Sequence, residues 1–237
     1  MSKQLSERIA AFDWHSLQQT LDEQGYAIIP SLMNNDECQE IINMYDKESY
    51  FRNTIDMARY RFGIGEYKYF KNPLPDLLQR LREGFYPELA KTANRWLQQL
   101  GRDAVYPATL PEFLEQCHQQ EQLRPTPLIL KYETGGYNCL HQDLYGEVFF
   151  PFQVVFALNQ KETDYTGGEF LLVEQRPRAQ SRGYVITLDQ GAGLIFPTNH
   201  RPVLGTRGYY KTSLRHGVST ITSGTRYALG IIFHDAK

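Results

Sequence analysis

From Pro127 to the C-terminal region the chain consists of short apolar runs separated by Gly, Pro, Asn and Asp. The runs are PLILKY, VFFPFQVVFAL, GEFLLVE, YVITL, GLIFP, KTSLRHGVS and RYALGIIF. Each is rich in β-branched and aromatic residues and too short for a helix in a packed layer. Seven strands at such close spacing predict a sandwich or barrel, because βαβ units would need helices between them. The most apolar of the runs, 148–158, is interrupted by Pro151 and Gln153. It falls well short of the roughly 20 residues a membrane helix needs.

Upstream, the spacing is helical. Asp13 is placed to cap a run with Trp14, Leu17 and Leu21 on one face, closed by Gly25. YAIIP predicts a short strand ended by proline. Asn35 or Asp36 opens a second helix with Cys38, Ile41, Ile42 and Tyr45 on one side. A longer pattern from Leu74 to Leu100 is expected to break at Gly84 and Pro87, and a short helix follows near Glu112–Gln119. Residues 51–71 read as an aromatic-rich connection. Helices first and strands afterwards predict an α+β fold, a jelly-roll (double-stranded β-helix) core on an N-terminal helical layer. No repeat or low-complexity linker divides the 237 residues, so one domain is expected, mainly helical over 1–125 and jelly roll over 126–237.

The three cysteines, Cys38, Cys117 and Cys139, are an odd number without CxxC spacing, and the first residues lack an apolar leader core. A cytoplasmic protein without a membrane anchor is the expectation.

Chemistry concentrates in the β half. In His141-Gln142-Asp143 the first and third side chains of an extended strand share a face, so imidazole and carboxylate can converge on one ion. His216, on a late strand, offers a third ligand. Two His and one carboxylate leave coordination positions open, as in non-haem Fe(II) oxygenases, although Zn²⁺ would accept the same donors. Arg226 follows His216 by ten positions. A three-residue turn at Thr222-Ser223-Gly224 would make a hairpin in which both face one side, about 13 Å apart at ~3.3 Å per residue. A metal-chelating acid with a distal carboxylate would bridge that gap, its far end held by the planar guanidinium fork.

The combination HQD, then HGV, then GTRY, within a jelly roll resembles the 2-oxoglutarate/Fe(II)-dependent dioxygenases. The resemblance covers roughly residues 127–235, and GYAIIPSLMNNDECQEII is also similar to the opening strand and helix of that superfamily. It implies that His141, Asp143 and His216 hold Fe(II) and that Arg226 binds the distal carboxylate of 2-oxoglutarate. The C-terminal spacing is most like the prolyl-hydroxylase branch, in which a Tyr ahead of HxD contacts 2-oxoglutarate; Tyr132 and Tyr137 are the candidates. Overall, similarity lies with bacterial oxygenases of unknown substrate, some labelled nucleic-acid oxidising. The alkylation-repair branch carries a second Arg six residues after the first, where this chain has Ile232.

The implied reaction uses O₂ and 2-oxoglutarate to hydroxylate a C–H bond, releasing succinate and CO₂. Its substrate is a protein or peptide side chain, a modified nucleic acid or a small molecule. Rival expectations are a metal-dependent hydrolase or isomerase on a cupin-like barrel and a non-catalytic jelly-roll binding module.

Two charge patterns accompany the motif. The segment 190–234 carries Arg201, Arg207, Lys211, Arg215 and Arg226 and no acid, although the chain as a whole has 25 Lys+Arg against 27 Asp+Glu. This local field would hold a dianionic cosubstrate. Residues 51–71 interleave five cations with six rings and suit a lid over the substrate or a single-stranded nucleic acid. His200, bracketed by Pro197 and Pro202, is expected in a loop. His15 and His118 are expected in solvent, and Cys139 to pack as a small hydrophobe.

Overall fold

A computed structural model describes residues 2–144 and 146–237. Five α-helices are present among them: α1 (Ser2–Ala10), α2 (Trp14–Gln24), α3 (Asn35–Met44), α4 (Asp76–Gln99) and α5 (Leu110–Gln119). Their ends follow from local chemistry. The Asp13 carboxylate accepts from the Ser16 N–H at the start of α2, and Gly25, at φ +82°, closes it in the left-handed conformation. Asn34 and Glu37 form a reciprocal capping box on α3.

The expected break in the long helix does not occur: α4 runs 24 residues through both Gly84 and Pro87. At Gly84 packing overrides propensity. A Cβ on Gly84 would lie 2.8 Å from Ile9 Cδ1, so this glycine lets α1 approach α4. The helix is further held by Arg82, which is buried. Its Nε donates to the Ile232 carbonyl, and its Nη2 donates to the Phe233 carbonyl and to Asp235, each at 2.7 Å. No helix among the described residues is long and apolar enough to cross a membrane.

The strands are β1 (Ala27–Ile29), β2 (Phe51–Asp56), β3 (Gly63–Ile64), β4 (Glu66–Phe70), β5 (Leu128–Glu133), β6 (Tyr137–His141) and β7 (Phe152–Ala157). They continue with β8 (Tyr165–Gly167), β9 (Phe170–Gln175), β10 (Arg182–Ile186), β11 (Gly193–Pro197), β12 (His200–Gly205), β13 (Gly208–Val218) and β14 (Ile221–Ile232). The major sheet runs β1-β11-β7-β14-β5-β4-β2, with β8 also on β14. The minor sheet runs β10-β9-β13-β6-β3, with β12 also on β13. Among the described residues these strands pair antiparallel.

The N-terminal half is therefore less helical than its sequence suggests. Residues 51–70 are not a connection: β2 and β4 extend the major sheet beyond β5, and β3 adds to the edge of β6. The 51–71 rings hid these strands because both faces of the region carry aromatic and charged side chains. His200 likewise opens a strand, opposite Ser213, where a loop was expected from the flanking prolines. Proline is tolerated there because β12 is an edge strand.

The centre of the major sheet is buried on both faces. Phe152, Val154 and Phe156 of β7 pack with Ile129, Leu229 and Ile231 against the helices. The alternate residues Val155, Ala157 and Ala228 pack between the sheets with Leu172, Leu194 and Leu214. A strand covered on both sides reads as the continuous apolar run seen at 152–157.

His234 closes this core. It is 2% exposed, its Nδ1 accepts from the Phe150 N–H, and burial together with the Arg82 charge pushes its pKa down to about 4. Such a group stabilises the fold above its unfolded pKa, near 6.5, and that contribution is lost as pH falls from 6.5 through 4. His234→Gln keeps an acceptor without the titration. The wild type is expected to lose about 2 kcal/mol more than this variant between pH 7 and pH 5 in chemical unfolding.

Candidate active site

The open end of the space between the sheets forms a cavity of about 360 Å³. The minor sheet contributes His141 from the end of β6 and His216 from β13, which lie directly opposite each other in register. Asp143 follows two residues after His141. Its two carboxylate oxygens lie 3.5 Å from His141 Nε2 and 3.3 Å from His216 Nε2. One donor atom from each of the three falls within 4.8 Å of the others, so the group could hold a metal ion.

Each ligand has a support. The Nδ1–H of His141 donates to the Cys139 carbonyl at 2.8 Å, which leaves Nε2 with its lone pair toward Asp143. His216 stacks on Phe170 with rings 7° from parallel and meets Phe196 at 4.7 Å. Gln153 Nε2, on β7 of the opposite sheet, donates to Asp143 at 2.7 Å. Burial pushes the Asp143 carboxyl up, but His216, the His141 charge and the Gln153 amide together outweigh it and hold the group well below the usual carboxylate range. Burial and the neighbouring His216 push His141 down. At neutral pH the cluster is thus an anionic carboxylate beside a neutral imidazole, the protonation states that metal ligation requires.

Arg226 enters from the major sheet. It pairs with Tyr132 across β14 and β5, and its guanidinium lies over the Tyr132 ring at 5.7 Å. Both side chains are buried, and both line the cavity together with the three candidate ligands. The Arg226 Nε has no hydrogen-bond partner, and no carboxylate among the described residues pairs with the guanidinium. A buried cation left without a counter-charge is expensive, so this one is suited to an incoming anion. Gly168, at φ +65°, leaves it room: a Cβ there would lie 3.0 Å from Arg226 Cδ. Tyr137, the other candidate tyrosine, pairs with Ile64 on β3 and does not line the cavity.

The route from His216 to Arg226 differs from the expected hairpin. β13 and β14 belong to different sheets and do not pair with each other. Between Val218 and Ile221 the chain turns a corner from the minor to the major sheet. Thr222-Ser223-Gly224 is no turn; it lies in β14 and pairs irregularly with β8. The two side chains still meet because they point inward from facing sheets, across the cavity rather than along one surface.

Sequence reasoning passed over Gln153. Its signal was present as the one polar residue in the buried strand FQVVFA, which demands a hydrogen-bond partner. Cys139 is exposed rather than packed, and contributes through its carbonyl. His118, expected in solvent, is half exposed and lies 3.1 Å from Asp235.

With this geometry in view, the comparisons are specific. Residues 65–236 match the Oxygenase-NA family, described as an oxygenase catalysing oxidative methylation of damaged DNA. The chain belongs to this family. An uncharacterised protein of Mycobacterium tuberculosis is 55% identical over 167 residues, 70% of this chain and 72% of the relative. Among solved structures, a prolyl hydroxylase of Trichoplax adhaerens, in complex with a hypoxia-inducible-factor oxygen degradation domain peptide, superposes with a TM-score of 0.59. It shares 17% identity, over 99% of this chain and 94% of that one. The epimerase SnoN from nogalamycin biosynthesis, in complex with Fe³⁺, alpha-ketoglutarate and nogalamycin RO, gives 0.54 at 11% identity, covering 94% and 83%. These likenesses show the oxygenase double-stranded β-helix fold, and the protein is an oxidoreductase.

Gln153→Leu removes the bond to Asp143 while keeping most of the volume. Loss of a partner that orients a metal ligand typically lowers affinity about 10- to 100-fold, so anaerobic titration of the variant with Fe(II) should show a drop of that order. Unchanged affinity would mean that the amide does not orient the carboxylate.

Proposed function

We propose that the protein is an Fe(II)- and 2-oxoglutarate-dependent dioxygenase that hydroxylates a C–H bond of a nucleic-acid substrate. The observation that carries this reading is the convergence of His141, Asp143, His216 and an unpaired Arg226 in one cavity, contributed by two sheets. The donor set fits iron: two imidazoles and one carboxylate, with a face left open to the cavity. Bound iron with 2-oxoglutarate and O₂ supplies the oxidant for the C–H bond, with succinate and CO₂ as coproducts.

The chain's own part is binding and orientation. His141, Asp143 and His216 would hold the metal, and Gln153 keeps Asp143 turned toward both imidazoles. Arg226 accepts the distal carboxylate of 2-oxoglutarate as a planar, paired donor. Tyr132 walls that end of the cavity; burial pushes its phenol up to about 12, so it remains a neutral hydroxyl beside the anion. Leu128, Leu130, Val155 and Phe196 give the remainder an apolar wall.

The substrate class is supported by the mouth. Tyr60 and Phe62 are 55% and 42% exposed, and their rings stack 5.6 Å apart with planes 19° from parallel. Exposed Arg61 and Leu140 flank them along the same cavity. Rings and cations at the entrance suit the face of a base and its phosphate, and the family's description as acting on damaged DNA agrees.

Anaerobic addition of Fe(II) and then 2-oxoglutarate to metal-stripped protein should produce a visible charge-transfer band. In Arg226→Ala the 2-oxoglutarate concentration needed for half of that band should rise about 10- to 100-fold, the worth of a hydrogen bond to a charged group. No band, with Fe(II) shown to be bound, would overturn the cosubstrate assignment.

A further inference from the structure

The acid-free segment 190–234 does not act as one field around the cosubstrate. Of its five cations only Arg226 lines the cavity, and Arg201 is buried in an ion pair with Glu174 at 2.9 Å. Arg207, Lys211 and Arg215 are exposed. Along β13, Lys211, Ser213 and Arg215 alternate with buried Thr212, Leu214 and His216. One strand therefore turns its candidate metal ligand inward and its cations outward.

Of these, Lys211 borders two adjoining hollows that also share His200, and Arg215 lies on the same outward face of β13, two residues beyond Ser213 in the wall of one of them. The larger, about 660 Å³, has Arg102 at its rim and the rings of Tyr106 and Phe149 in its wall. The smaller, about 440 Å³, is bounded by Arg176 and Arg178 at the β9–β10 turn. Asp103 and Glu147 lie on the larger hollow, and no acid lines the smaller. His200 is pushed down to about 4 by burial and by the charges of Lys211 and Arg102. Arg102, Arg178, Lys211 and Arg215 take part in none of the ion pairs seen among the described residues. Cations that crowd one another with so few acids nearby gain when an anion arrives.

The hollows adjoin the active site. His200 faces Ser213 and His141 faces His216, three residues apart on β13, which is about 10 Å along the strand. Gln142 bridges the interval. It lines the cavity, and its Nε2 lies within hydrogen-bond distance of the Asn199 carbonyl at 2.9 Å, Ser213 Oγ at 3.0 Å and the Leu214 carbonyl at 2.8 Å. Asn199 belongs to the larger hollow and Ser213 to the smaller.

The geometry points to a phosphate track: a single nucleic-acid strand whose target base enters the cavity lays its flanking phosphodiesters over Lys211 and Arg215, with Arg102 and Arg178 at the two ends. This rests on the nucleic-acid reading of the same site. The apolar wall beside the cations suits an adjoining base better than an acidic peptide, which carries charge without a flat ring.

The test is fluorescence anisotropy of fluorescein-labelled oligothymidylates of 12 and 4 nucleotides with the full chain, without metal, across a salt series. The variants are Lys211→Glu/Arg215→Glu, Arg102→Glu/Arg178→Glu and, as a charge control, Lys47→Glu, all at exposed positions. The 12-mer should bind at least tenfold tighter than the 4-mer. Each double variant should weaken the 12-mer at least tenfold and flatten the log–log salt slope by about 1.4, from two lost phosphate contacts; Lys47→Glu should change neither. A wild type that does not bind the 12-mer, double variants within twofold of wild type, or an oligoglutamate peptide that competes as well as the oligonucleotide would each overturn the track. The Fe(II)/2-oxoglutarate band, measured on the same proteins, should persist in all variants. Its absence from the wild type would overturn the cofactor reading and leave the track standing.

Discussion

An ionised carboxylate mostly removed from water must be compensated on the spot, and Asp143 is the point at which this fold meets that requirement. Its oxygens face two imidazoles from the minor sheet and one amide from the major sheet. The contacts tie the two sheets together at the end where their apolar packing gives way to a cavity. Deeper in, Leu172, Leu194 and Leu214 fill the same gap without a polar group. The site is therefore the place where the sandwich stops being a core, and polar contacts take over from burial.

The helical layer makes that arrangement possible without touching it. With α1 and α4 covering the outer face of the major sheet, β5, β7 and β14 are supported from behind, and their inward side chains are free to differ. Along β14 the inward positions Arg226, Ala228, Gly230 and Ile232 line the cavity, while Leu229 and Ile231 remain in the helix-facing core. The Arg82 contacts to the Ile232 and Phe233 carbonyls and to Asp235 hold the far end of β14 against α4. Arg226 thus projects from a strand anchored along most of its length, and preorganisation of this kind is what binding a flexible dianion asks for.

Much of this was legible in the residues. The strand-rich half, the capped helices and the convergence of His141 with Asp143 follow from period-2 spacing and capping chemistry acting over a few residues. What was hidden depends on tertiary context. Gly84 read as part of a break because the covering contact with Ile9 lies some 75 positions away in the chain. The 51–70 strands read as a connection because the strands that draw them into the sheets, β5 for β4 and β6 for β3, lie far downstream. The link between His216 and Arg226 was expected through a hairpin, and the inference that both face one site survived for a different reason: inward-facing positions on opposed sheets. Spacing specifies which face a side chain takes, but not which sheet the next strand joins.

The corner between Val218 and Ile221 acts as a ruler. Only Ser219 and Thr220 separate the strand bearing His216 from the strand bearing Arg226, and the Ser219 hydroxyl is fastened to Glu169 while its N–H donates to the Glu169 carbonyl. A strand has two faces and no intermediate, so one residue gained or lost at this corner would turn β14 over. Tyr227 and Leu229 would then face the candidate metal ligands, and the guanidinium would be thrust among the helices. The β9–β10 turn at 176–181, exposed throughout, carries no such phase. Variation in length is thus compatible with the outer turns of this protein, whereas the corner tolerates change in its residues but not in their number.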